Sequence, residues 1–294
     1  MLIARLIADT ATSETHLDAF AAALADSGTA LKAVQRPEDA DGVLELHIDD
    51  GYPGAVLTAI DTVFAPADML VSTAPITVPK LFISDMDSTM IGQECIDELA
   101  DYAGLKPQIA AITERAMQGE LDFEAALRER VALLAGLKES AIHACLSERI
   151  TATPGAATLV ATLASLGART VLVTGGFHHF ADPVAERLGF QHVVGNRLCV
   201  EGGALTGRLR GPIVDSAVKA AVLREELDAL GDHAHSLAAG DGANDIPMIE
   251  AATYGFAYKA KPKARAAANG RVDSGNLTAV LRLLGIPRAQ WRDS

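Results

Sequence analysis

The sequence predicts an α/β protein: a Rossmann-like doubly wound parallel sheet with an inserted helical cap, preceded by a small βαββαβ ferredoxin-like domain. Three observations predict it. Short apolar runs at Leu81-Phe82-Ile83, Arg169-Thr170-Val171-Leu172-Val173 and Leu237-Ala238-Ala239 are each followed by a polar or glycine-bearing loop. That is the pattern of buried parallel strands, whose carboxyl ends bind ligands. Strand and helix signals alternate beyond residue 78, except from about Glu94 to Arg149, where helical periodicity runs without a strand.

Taken in order, apparent strands near 2–8, 30–36, 41–48 and 68–73 alternate with helix-like stretches near 14–27 and 54–64. Ala74-Pro75-Ile76-Thr77-Val78-Pro79 reads as a linker, dividing the chain into residues 1–77 and 78–294, with the cap inserted at about 94–152. The first unit has the topology of an amino-acid-sensing regulatory module but no ligand motif, and a structural or dimerising role fits equally.

The Leu81 run ends in Asp85-Met86-Asp87-Ser88-Thr89. In extended chain Asp85 and Asp87 share a side, so one carboxylate can attack a phosphorus while the other handles the leaving-group proton. The same string also suits a simple turn. A calcium loop is excluded, because its sixth and twelfth positions hold Met90 and Ile96 rather than Gly and Glu.

In the cap, Phe123 and Arg130 stand seven residues apart on one helix face, as a core aromatic and a solvated arginine also would. The Arg169 strand leads into Thr174-Gly175-Gly176-Phe177 before a helix ending at Gly189. A hydroxyl with free N–H groups there makes an anion site or, alternatively, a glycine-permitted turn. His178 and His179 read as helix-start or surface residues, and Gly202-Gly203 as a hairpin turn. Lys219 lies early in a helix opened by Asp215 and Ser216. After the Leu237 run, Gly240-Asp241-Gly242-Ala243-Asn244-Asp245 adds hard oxygen ligands suited to magnesium.

A formal charge of −13 and a pI near 5.0 oppose binding to nucleic acid or to anionic membranes. No run is long enough to span a bilayer, and Asp9 interrupts the N-terminal apolar stretch before a leader could form. Cys95, Cys145 and Cys199 are three and widely spaced, which points to reduced thiols and a cytoplasmic protein. A homo-oligomer remains open.

The four ordered motifs, Asp85 to Thr89, Thr174 to Phe177, Lys219, and Gly240 to Asp245, resemble those of the haloacid dehalogenase-like phosphatases, and within them the phosphoserine phosphatase family. The resemblance covers roughly residues 78–294. Met86 stands where phenylalanine is frequent, and Thr174 where serine is frequent, keeping the hydroxyl.

The resemblance implies a Mg2+-dependent phosphomonoesterase that hydrolyses O-phospho-L-serine, in the last step of serine biosynthesis, through an aspartyl-phosphate. Asp85 is then the nucleophile and Asp87 the acid and base. The side chains of Asp85 and Asp241 and the backbone carbonyl of Asp87 hold the metal, with Asp245 in support. Thr174, Gly175, Lys219 and Asn244 bind the phosphate. Glu94 takes the ammonium, Arg130 the carboxylate and Phe123 shields the site; Met117 fits a place in the same pocket or a gap-filling core role equally. Two rivals stay open: a related phosphatase or phosphotransferase on another small phosphometabolite, and an amino-acid sensor with a vestigial phosphatase domain.

Overall fold

A computed structural model describes residues 1–7, 14–37, 42–49, 51–117, 120–231 and 233–293, without the side chain of Met117. The strands are β1 (Leu2–Ile7), β2 (Leu31–Gln35), β3 (Val43–Ile48), β4 (Asp68–Ser72), β5 (Leu81–Ser84), β6 (Arg169–Phe177), β7 (His192–Glu201), β8 (Ala204–Arg210), β9 (Ser236–Gly240), β10 (Tyr254–Tyr258) and β11 (Gly270–Val272). The helices are α1 (Glu14–Ala25), α2 (Pro53–Phe64), α3 (Cys95–Tyr102), α4 (Lys106–Met117), α5 (Phe123–Leu133), α6 (Glu139–Arg149), α7 (Ala156–Ser165), α8 (His178–Leu188), α9 (Ser216–Leu230), α10 (Ile246–Ala251), α11 (Pro262–Ala267) and α12 (Thr278–Leu283).

Among the described residues one 11-stranded sheet runs in the order β2-β3-β1-β4-β11-β10-β9-β5-β6-β7-β8. Strands β11 to β7 are parallel, with β5 at the centre between β9 and β6. β5 is buried along its whole length, so all four of its side chains can be apolar or small. Helices cover both faces, as parallel crossovers require.

The first four strands pair antiparallel, and α1 and α2 bury Phe20, Leu24, Val56 and Ile60 against them in a cluster of their own. The sequence suggested two units joined by a linker. In the structure β4 also pairs antiparallel with β11, so the two sheets are continuous. An open β4 edge would leave ladder N–H and C=O groups unpaired, and β11 satisfies them. The junction is polar too. Asp68, 3% exposed, accepts hydrogen bonds from the backbone of Asp273, Ser274 and Gly275 at 2.8, 2.9 and 3.0 Å. Asp61 on α2 accepts two from Arg265 at 2.6 and 3.0 Å and one from Arg271 at 2.6 Å.

The cap comprises α3 to α6, closed at its base by an Ile91–Ala152 bridge. Leu99, Leu127, Val131, Ile142 and Leu146 of these helices share one apolar cluster with Phe82 and Phe177 of the sheet. The β7–β8 hairpin turns through Gly202 and Gly203, both left-handed (φ 59° and 77°), which suits a two-residue loop. It props the cap: Gly136 N donates to Leu205 O, and Leu205 N donates to Leu137 O, both at 2.8 Å. Gly207 permits this approach, because a Cβ there would stand 2.9 Å from Ala135 Cβ. The three cysteines are free, and among the described residues no helix is long and apolar enough to cross a membrane.

Candidate active site

The loops after β5, β6 and β9 meet at the carboxyl edge of the sheet beneath the cap, around a cleft of about 210 Å³. Asp85 follows the buried end of β5, and its N–H donates to Ala239 O of β9 at 2.9 Å, which fixes the two strand ends together. The chain then turns tightly through Met86–Met90, with Ser88 left-handed at φ 54°. This non-glycine in a sparsely populated conformation is held by its N–H, donating to Gln93 O at 3.1 Å, and its Oγ, donating to Glu94 Oε1 at 2.7 Å. The turn thereby places Glu94 at the cleft wall.

Lys219 sits beneath the cleft on α9, whose start is capped by Asp215 accepting from Val218 N at 2.9 Å. Its ammonium, 1% exposed, lies 2.7 Å from both Asp85 Oδ1 and Asp245 Oδ1. Burial alone would lower its pKa, but the two carboxylates outweigh this and hold it above its ordinary value. Asp245 is fully engaged, since its Oδ2 also accepts from Asp241 N and Gly242 N at 3.2 and 3.0 Å. It folds the loop rather than facing the cleft. Gly240 makes room for it, because a Cβ there would stand 2.5 Å from Asp245 Cγ.

Asp87 accepts a hydrogen bond from Cys95 N at 3.3 Å. Burial, and then the charge of Glu94, raise its pKa to about 7, which suits a group that must give and take a proton near neutrality. Across the cleft, β6 runs on through Phe177, four residues beyond the predicted strand end at Val173, with its pairing to β7 shifting register between those residues. The extension follows from Thr174 Oγ1 accepting from Gly176 N at 2.8 Å and from Asn196 Nδ2 donating to Gly175 O at 2.8 Å. Asn196 Oδ1 accepts in turn from Val214 N at 2.9 Å. The sequence reading missed this residue; a buried asparagine on a strand flanked by glycine was the available signal.

The carboxylates of Asp85, Asp241 and Asp245 offer oxygens within 4.8 Å of one another. Asp85 Oδ1 is buried and ion-paired with the Lys219 ammonium at 2.7 Å. Burial first and neighbouring carboxylates next raise the pKa of Asp85 well above its ordinary value. Burial likewise raises Asp241, to about 6. Hard carboxylate oxygens gathered this closely against their mutual repulsion fit a magnesium ion.

The cleft gathers Asp85, Asp87, Glu94, Phe123, Arg130, Thr174, Gly175, Asp241 and Asn244. Lys219 and Asp245 lie behind this wall. Phe123, 39% exposed, packs over Gly175, where an added Cβ would meet its ring at 3.3 Å. Burial lowers the pKa of Arg130, while the charges of Asp97 and Glu94 oppose the change. Ile96, Leu127 and Lys261 also line the cleft and escaped the sequence reading. The side chain of Met117 lies outside the described residues. His178 pairs with Asp182 at 2.7 Å on its own helix. His179 has a buried, unpartnered Nδ1, and neither histidine lines the cleft.

Residues 82–250 match the profile described as "HAD: haloacid dehalogenase-like hydrolase". A phosphoserine phosphatase of Albidiferax ferrireducens is 44% identical over 231 residues, covering 76% of this chain and 98% of that protein. The chain belongs to the haloacid dehalogenase-like hydrolases, in the phosphoserine phosphatase family. Two solved structures are similar as well. A haloacid dehalogenase family hydrolase from Salmonella enterica serovar Typhi superposes with a TM-score of 0.81 at 27% identity, over 97% of this chain and 99% of its own. A phosphoserine phosphatase described as a phospho-aspartyl intermediate analogue superposes with a TM-score of 0.63 at 35% identity, over 69% of this chain and 98% of its own. The first likeness therefore extends through β1 to β4, and membership of the family makes the chain a phosphatase-type hydrolase.

Proposed function

We propose that the protein hydrolyses O-phospho-L-serine to serine and phosphate through a phosphoryl group carried on Asp85. The observation that carries this reading is the buried Asp85 carboxylate, ion-paired with the buried Lys219 and lining one capped cleft together with Asp87 and Thr174.

A carboxylate oxygen of Asp85 attacks the phosphorus in line while the seryl oxygen departs with a proton from Asp87. Asp87, now ionised, takes a proton from a water that attacks the aspartyl-phosphate, releasing phosphate and restoring both carboxyl groups to their starting states. Thr174, the Gly175 N–H, Asn244 and Lys219 stabilise charge on the phosphoryl oxygens, where positioning counts for more than covalent help. Lys219 also orients Asp85. Asp85, Asp241 and the Asp87 carbonyl would hold Mg2+, with Asp245 buttressing the loop, and the bound ion would neutralise phosphoryl charge. Arg130 and Glu94 suit the carboxylate and ammonium of the substrate, and Phe123 excludes water from the cleft.

Phosphate release from a panel of phosphorylated metabolites, with and without Mg2+, tests the reading. Phosphoserine should give the highest kcat/KM, with phosphothreonine lower because its extra methyl must fit under the cap. A higher value for a phosphorylated sugar would overturn the substrate assignment. All residues lining the cleft fall after residue 80. We therefore also propose that residues 1–77 form a supporting domain beside a catalytic domain of residues 78–294, and that the protein works in the cytoplasm on a free metabolite.

A further inference from the structure

Lys261 is a largely exposed cation that lines the cleft beside Asp241. Its Nζ lies 3.6 Å from Asp241 Oδ2, and its backbone N–H donates to Asp241 O at 2.9 Å. The side chain is 65% exposed, so the ammonium is free to move. The backbone is not. Lys259, left-handed at φ 42°, bends the chain back from the end of β10. Lys261 then caps α11, with Pro262 in the first turn and Lys261 O accepting from Arg265 N at 3.0 Å. Arg265 is itself gripped by Asp61 across the domain junction. A stretched, well-anchored turn thus delivers one mobile cation to a carboxylate that a metal would need.

The charges around it make this significant. Asp85, Asp87, Glu94 and Asp241 line the cleft, and the only lining cations among the described residues are Arg130 and Lys261. Arg130 belongs to the cap, near Glu94 and Asp97. Lys219 is buried beneath and already paired twice. A substrate carrying a dianionic phosphate approaches a chain of net charge −13. Among the described residues that line the cleft, Lys261 is therefore the one cation outside the cap, and it stands beside Asp241.

We propose that Lys261 has two linked roles: it occupies Asp241 as a counter-charge until a divalent cation takes that carboxylate, and its released ammonium then draws the substrate's phosphate into the cleft. This rests on the phosphatase reading above and assigns a residue outside its machinery.

The full-length protein and its Lys261→Ala and Lys261→Arg variants test it. Without substrate, Mn2+ titrated by electron paramagnetic resonance should bind Lys261→Ala about fivefold more tightly than wild type, because no ammonium competes. At low salt the same variant should show a KM raised about fivefold for both phosphoserine and p-nitrophenyl phosphate, a difference that fades as salt screens the charge. Its kcat should change by less than about twofold, since an exposed pair acts on encounter rather than on the bound transition state. Lys261→Arg should restore KM. Unchanged Mn2+ affinity, or an unchanged KM for both esters, would overturn the proposal. A KM change confined to phosphoserine would overturn the phosphate-side role. Wild type turning over p-nitrophenyl phosphate but not phosphoserine would refute the substrate reading instead, and the aryl ester would still decide the case for Lys261.

Discussion

The floor of the cleft and its cap wall are built differently. On the floor, Asp85, Thr174, Lys219 and Asp245 are buried; Asp85, Lys219 and Asp245 are fixed by partners on a neighbouring strand or helix, and Thr174 by Gly176 N of its own strand. On the wall, Glu94 is exposed and Phe123 is 39% exposed, while the Arg130 guanidinium donates to its own helix at Ala126 O, 3.3 Å away. The floor carries its interactions before anything binds. The wall holds groups whose charged partners would arrive with the substrate. On the proposed function, chemistry belongs to the buried layer and selectivity to the layer free to adjust.

The largest expected effect is on the floor. Asp85→Asn removes the nucleophile while keeping its size, so turnover should fall below detection and the protein should stay folded. Circular dichroism and phosphate release check both halves, and substantial turnover would break the contrast at its centre.

Next come the charges beside the nucleophile. Lys219→Ala should lower kcat by about two to three decades, as loss of a preorganised charge-stabilising group does, and should leave Asp85 and Asp245 repelling one another. Chelation should silence the enzyme reversibly, magnesium should restore it, and calcium should substitute poorly because its larger, looser shell spoils in-line geometry. Full activity in excess chelator would remove the metal.

On the wall the effect should be smaller and selective. Arg130→Ala removes a charge-assisted contact of roughly 1.5–3 kcal/mol, about one to two decades in kcat/KM for phosphoserine, with p-nitrophenyl phosphate nearly unaffected. An unchanged ratio of the two efficiencies would deny the wall its reading role.

The smallest effect lies where Asp61 of α2 meets Arg265 and Arg271. Hydrogen bonds and charges from Arg265 and Arg271 outweigh the cost of burial and hold the Asp61 carboxyl below its ordinary value of 3.8. Because the folded pKa is lowered, this stabilisation is fully present above that ordinary value and is lost as pH falls through the folded pKa. Its partners are about 30% and 6% exposed in their side chains, so solvent discounts the pair with Arg265 more than that with Arg271. Asp61→Asn should cost about 1 kcal/mol in urea unfolding at pH 7, and the difference from wild type should shrink at strongly acid pH. An equal deficit at both pH values would assign the loss to packing.

Asp85, Thr174 and Asp245 of the floor were legible in the sequence because they sit in contiguous loops after apolar runs, whereas Lys219, alone on α9, stood out only beside those loops. The elements of residues 1–77 were legible to within a few residues for the same local reason. What stayed hidden is what depends on partners far away in sequence. The β4–β11 pairing joins residues about 200 positions apart through a three-residue strand, too short to show periodicity. Asn196 is decided by where Gly175 O and Val214 N fall, and Lys261 by the turn after β10. Glu94 became a candidate only through family resemblance, and the seven-residue spacing of Phe123 and Arg130 alone fits a core aromatic and a solvated arginine equally well.

The most direct test of the central claim is to trap the phosphorylated enzyme. Protein turning over phosphoserine with magnesium is quenched in borohydride, which reduces an aspartyl-phosphate to homoserine, and its peptides are mapped by mass spectrometry. The account predicts homoserine at position 85, dependent on substrate and absent from Asp85→Asn. Reduction at Asp87 or Asp241 in place of Asp85, or full turnover with no acyl-phosphate trapped at any position, would contradict it.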